Sequence, residues 1–118
     1  MPFDWREYLD LAKYLNGGGG SFTQEAALRT VVSRAYYAAF CHARNYAAAN
    51  QHFVALGSAR DHARLRNHFR NLRDHATASQ LGNLRHWRNL CDYQNDVPGL
   101  RGMVGGALLA AQRVISRF

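Results

Sequence analysis

Arg85, Arg88, Asp92 and Asn95 follow one another at spacings of three, four and three residues. On a helix, that spacing sets two guanidiniums, a carboxylate and an amide along one side. Asn89 and Tyr93, four apart, flank the stripe. Guanidiniums beside an amide suit a phosphate, whose oxygens accept forked N–H donors. The plainer reading is a solvated helix face on which Arg88 and Asp92 form an i, i+4 ion pair worth a few tenths of a kcal/mol.

The chain that must position these residues has 118 of them, enough to close one hydrophobic core and too few for a second, so residues 1–118 are expected to form one domain. Pro2 and Pro98 are its only prolines. The long interval between them, rich in alanine and leucine, favours an all-α fold. A formal charge of +7 comes almost wholly from fourteen arginines against the single Lys13. Arginine-favouring codons explain such a balance, and so does a surface that meets phosphate, with nucleic acid as the natural partner. Cys41 and Cys91 stand in apolar stretches without CxxC spacing, which argues against zinc and redox chemistry and for a reducing setting. The opening "MPFDWREYLD" is acidic where a signal peptide is basic. Nor does any uncharged stretch approach the about twenty residues a membrane span needs, so a soluble cytoplasmic protein is expected.

Five helical segments can be marked out. The first starts at Asp4, with Glu7 completing a capping box, carries Trp5, Tyr8, Leu9, Ala12 and Leu15 on one stripe, and ends at Asn16 and "GGGG". Ser21 and Gln24 read as the cap of a second, running to about Asn50. Between Val31 and Ala49 its only formal charges are Arg34 and Arg44, so most of its circumference must be covered. Its alanines permit close approach, and Tyr36, Tyr37, Phe40 and Tyr46 add bulk. A third helix, opened by Ser58 and Asp61, has the apolar stripe Leu65, Phe69, Leu72 and Ala76, with Arg60, Arg64, Arg66, Arg70 and Arg73 opposite. Thr77 and Gln80 cap a fourth with Leu81, Leu84, Trp87 and Cys91 inward, ending near Asn95. Pro98 lies just inside a fifth whose stripe includes Leu100, Val104, Ala107, Ala111 and Val114. The architecture expected is an up-and-down bundle of four to five helices.

Two of these segments, "SRAYYAAFCHARNYA" (Ser33 to Ala47) and "LGNLRHWRNLCDY" (Leu81 to Tyr93), resemble in order and separation the HEPN family, the higher eukaryotes and prokaryotes nucleotide-binding domains. The small bacterial single-domain members are similar from about Trp5 to Ile115, with Cys91 here where alanine is usual. The resemblance implies a helical bundle paired as a homodimer, with polar motifs facing a shared cleft. It also implies RNA or nucleotide binding, in the setting of toxin–antitoxin or defence systems. Many members are metal-independent ribonucleases with an Arg-x4-6-His motif, often with asparagine after the arginine. Arg88 and Asn89 match that start, but Tyr93, Gln94 and Asn95 occupy the positions where the histidine would stand. A phenol with a pKa of about 10 and a carboxylate near about 4 are poor bases at neutral pH. The expectation is therefore a binding module, its contacts made by Arg85, Arg88, Asn89, Asp92, Tyr93 and Arg34, without nuclease chemistry of its own. One alternative is an interaction subunit for a minimal nucleotidyltransferase, a partner that in such pairings modifies a tyrosine near the motif, here Tyr93. The other is a metal-independent RNase toxin.

Outside the motif, Arg34 interrupts the most apolar helix. It pairs with a buried carboxylate, reaches an edge, or, as the resemblance implies, faces the cleft with Arg88. "RNLRDH" offers Arg70 and His75 as a second catalytic candidate, one helix earlier. Five residues turn about 140° on a straight helix and separate the two groups. His62 and His42 lie in line with apolar stripes and read as hydrogen-bonded core histidines. There is no HExxH, and His68 with His75 are two turns apart, so no metal or cofactor is expected.

Overall fold

The computed structural model describes residues 3–17 and 23–118, and every regular element among them is a helix: α1 (Arg6–Asn16), α2 (Gln24–Asn50), α3 (Arg60–Asn71), α4 (His75–Tyr93) and α5 (Leu100–Arg117). The all-α expectation holds. α2 is the axis, packed against α1, α4 and α5, while α3 leans on α4. Its alanines explain why: Ala35, Ala38, Ala39, Ala43 and Ala47 are wholly buried, and side chains that small let several helices close on one. One apolar cluster runs from Leu9 and Ala12 through α2 to Leu65, Phe69, Leu81, Leu84, Ala107 and Val114.

The helix ends differ from the sequence expectations in instructive ways. α1 begins at Arg6, not Asp4; the Asp4 carboxylate accepts the Arg6 backbone N–H at 3.0 Å, so it works from outside the helix. At α2, Thr23 is the cap, its hydroxyl accepting from Ala26 at 3.1 Å; Ser21 lies outside the described residues. α3 stops at Asn71, so Leu72 falls off the apolar stripe and is exposed, and Ala76 belongs to α4. The break is made at Arg73, whose φ of 62° takes the chain out of the right-handed region. Asp74, not Thr77, then caps α4: its carboxylate accepts the Thr77 N–H at 3.2 Å and the Thr77 hydroxyl at 2.8 Å, and pairs with Arg117 at 2.7 Å. α4 ends at Tyr93, two residues before the expected Asn95. Pro98 stands outside α5, because Gly99 at φ 70° turns the chain into that helix.

The turn between α2 and α3 is held by a single buried carboxylate. Asp61 accepts the backbone N–H groups of Leu56 at 3.0 Å and Gly57 at 2.9 Å, and pairs with Arg64 at 2.8 Å. The backbone donor of Leu56 is the main reason its carboxyl titrates below the usual carboxylate range. A group whose pKa is lower folded than unfolded stabilises above the unfolded value, and that stabilisation is lost as pH falls through the folded value. Asp61→Asn should therefore lower the urea midpoint at pH 7, and the difference from the parent protein should begin to shrink only once the pH falls below the ordinary carboxylate value of about 4, a comparison of denaturation curves from pH 7 into acid.

Candidate functional site

Between Val31 and Cys41, α2 is uncovered only at Arg34 and Tyr37. Both are partly exposed amid buried neighbours. The Tyr37 ring is the meeting point of the site. The Arg34 guanidinium carbon lies 5.2 Å from its centroid and that of Arg88, from α4, also 5.2 Å. The His62 ring from α3 stands 6.5 Å away, edge to face. Each guanidinium has an aromatic face to rest on, which helps to hold a cation in place.

The stripe on α4 forms as its spacing requires. Arg88 Nε pairs with the Asp92 carboxylate at 2.9 Å, Arg88 Nη1 donates to Asn89 Oδ1 at 2.9 Å, and the Tyr93 ring lies 5.5 Å from the Arg88 guanidinium. Asp92 also accepts from the Ser33 hydroxyl at 3.4 Å, which in turn accepts from Arg34 at the same distance. Arg34 and Arg88 thus share one carboxylate through Ser33. Arg34 itself makes no ion pair among the described residues, so it does not meet a buried carboxylate. Asn95 lies beyond the helix end, and its carbonyl, with those of Cys91 and Gln94, accepts from the guanidinium of Arg29 at 2.6 to 2.9 Å. That clamp closes the last turn of α4 and fixes where Asp92 and Tyr93 stand.

His62 is the residue that spacing could not place here. Its ring stacks on Phe40 with centroids 4.3 Å apart, and its Nδ1 is hydrogen-bonded with the Tyr36 hydroxyl. That much fits a core histidine. Yet it also lines both cavities of the site, and burial, then Arg85, Arg88 and Arg66, push its pKa down to about 4. It is neutral at physiological pH. Burial and Arg85 likewise lower the pKa of Arg66, and burial raises that of Tyr36. The buried Nε of Arg85 has no hydrogen-bond partner among the described residues. Among the described residues guanidiniums therefore outnumber carboxylates: Asp61 lines the groove but is spent on its turn and Arg64, and Asp92 reaches it only as the partner of Arg88.

The Arg70–His75 candidate is not brought to this groove. The two residues belong to different helices, so the straight-helix geometry does not apply. Both are exposed, and Arg70 donates to Asn67 at 2.8 Å. Ten residues of α4, roughly 15 Å, separate His75 from Arg85. His68 bonds Gln51 at 2.9 Å and packs on Phe69. No group of three histidine, cysteine or carboxylate side chains suited to a metal occurs among the described residues. Among them, too, no helix is long and apolar enough to cross a membrane.

Compared with protein-family models, with curated proteins and with solved structures, the chain finds no match in any of the three. The site must be judged on its own chemistry.

Trp5 and Tyr8, on the apolar stripe of the first helix, and Arg44, one of two charges in the apolar run of the second, also line the groove. No local spacing announces them, since they reach it from the start of α1 and from about two turns beyond Tyr37 along α2. The Arg29 clamp yields a prediction: Arg29→Ala should leave the bundle folded by circular dichroism but speed amide exchange at Gln94 to Asp96, and slow exchange retained there would show that the clamp is not what orders the end of α4.

Proposed function

We propose that the groove binds the phosphates of RNA or of a nucleotide, the chain acting as a cytoplasmic binding module of the HEPN type. One observation carries this reading. Arg34, Arg66, Arg85 and Arg88 crowd about Tyr37 and His62, with Asp92 alone left to offset them. Crowded like charges repel one another, and an anion set among them relieves the repulsion while accepting from the guanidiniums of Arg85 and Arg88 that line the lobe. A phosphodiester has the oxygens to do so, and the aromatic rings alongside offer faces to its bases.

The test is a titration of labelled RNA by anisotropy at several salt concentrations. Binding should weaken as salt rises, since ion release drives it. Arg88→Ala and Arg85→Ala should each reduce affinity about tenfold or more, the loss of a charge-assisted contact, and flatten the salt dependence. Arg70→Ala, exposed and outside the groove, should bind as the parent does. Affinity that ignores salt, or an Arg88→Ala variant that binds normally, contradicts the reading.

A second reading, cleavage of the bound RNA, is favoured by the position of His62 together with His86, which line the lobe that holds Arg85, Arg88 and Asn89. A neutral imidazole there accepts a proton from a ribose 2′-hydroxyl as that oxygen bonds to the adjacent phosphorus, the guanidiniums stabilise the charge on phosphorus-bound oxygen, and the P–O5′ bond breaks with the 5′-oxygen taking a proton from water. Burial, and then the arginines, make His62 a weak base; a bound phosphate offsets the arginines' part and raises its basicity. RNA incubated with chelator should then be cut by the parent protein but not by His62→Ala, and intact RNA in both samples leaves binding as the whole of the function.

A further inference from the structure

The groove has two lobes, and they differ in chemistry. One, about 570 Å³, is walled by Arg85, His86, Arg88, Asn89 and Tyr93 of α4. The other, about 590 Å³, is walled by Trp5 and Tyr8 at the start of α1, Arg34, Phe40 and Arg44 of α2, and the Gly57 to Ala59 turn. They meet at Tyr37, Ala59 and His62, which line both.

Either lobe by itself has the volume of a small-ligand site, about 300–1,000 Å³. A mononucleotide would fill one and leave the other open. The α4 lobe is dominated by hydrogen-bonding side chains. In the α1 lobe guanidiniums and rings alternate: Arg34 lies 4.9 Å from the Tyr8 centroid, and Arg44 lies 5.8 Å from both Trp5 and Phe40. Arg44 makes no ion pair among the described residues, and its Nε donates to the Asn45 side chain at 3.1 Å. Aromatic faces interleaved with unpaired guanidiniums are how proteins hold nucleobases that are free of a duplex, the base stacking and the cation meeting the backbone.

Resting on the phosphate-binding reading above, we infer that the ligand is a single strand bound across at least two nucleotides. The phosphate linking them lies at the Tyr37–His62 junction between Arg34 and Arg88, and a neighbouring base enters the Trp5–Tyr8–Arg44 lobe. A duplex is excluded because its bases are stacked on one another and present no face to these rings. Recognition by stacking and backbone charge predicts weak dependence on base identity.

The test is competition against a labelled single-stranded RNA hexamer by an unlabelled hexamer, a dinucleotide, a mononucleotide and a hairpin duplex without overhangs. The dinucleotide and the hexamer should displace the probe at least tenfold more effectively than the mononucleotide or the duplex, because stacking adds about that much per base. Arg44→Ala and Trp5→Ala should shrink the hexamer's advantage over the mononucleotide. Should Trp5→Ala unfold, Arg44→Ala suffices, since Arg44 is half-exposed and no core residue. Equal potency of mononucleotide and hexamer, equal potency of the duplex, or an undiminished ratio in Arg44→Ala overturns the inference while the phosphate reading stands. Failure of the hexamer to bind even in low salt overturns both.

Discussion

A helix buried on nearly every side has nowhere to put a charge. α2 is such a helix: from Val31 to Ala43 nearly every side chain is covered by α1, α4, α5 or the residues of α3. Arg34 cannot be dried without a compensating partner, so the one open edge of α2 must lie where Arg34 and, one turn on, Tyr37 emerge. Because α1 flanks that edge on one side and α3 and α4 on the other, whatever they present there becomes the site. The alanines that let the bundle close thereby also decide where its polar groove runs.

Two local devices keep that groove in shape, and both use charge to satisfy backbone. Arg29 binds three carbonyls at the end of α4, so Asp92 and Tyr93 stand at the rim and not in a frayed last turn. Asp61 binds the N–H groups of the turn whose residues 57–59 form the opposite wall. With those anchored, the arginines can be crowded. Burial first, and then that crowding, lowers the pKa values of His62 and Arg66, and crowded cations favour an anion among them. The Tyr36 hydroxyl, bonded to His62, and the Phe40 ring beneath it hold the imidazole in place at the junction of the two lobes.

The helices were readable because their periodicity is strong: Leu9 with Ala12, Leu65 with Phe69, and Leu81 with Leu84 and Cys91 fall inward as spaced. The caps were less so. Ser, Thr and Asp crowd residues 74–79, and sequence cannot say that Asp74 captures Thr77 instead of Thr77 capping for itself. The Arg88–Asp92 pair and the flanking Asn89 were visible because both partners sit on one helix. The role of His62 was not, since its partners Tyr36, Phe40, Arg85 and Arg88 lie at least twenty residues away in sequence and meet it only through packing. Trp5 and Arg44 were hidden for the same reason: an inward stripe and a groove wall look alike until the neighbouring helix is placed.

The imidazole of His62 is also the built-in reporter of whether an anion enters among the arginines. Its ring protons can be followed by NMR through a pH titration, with and without saturating RNA oligonucleotide. Burial is the first cause of the low His62 pKa and the arginines the second; a phosphate held at Arg85 and Arg88 offsets that second part, so the pKa should rise above about 4 while burial keeps it below the ordinary value of 6.5. An oligonucleotide that binds yet leaves the His62 titration unmoved would place the ligand elsewhere on the surface and contradict the assignment of this groove.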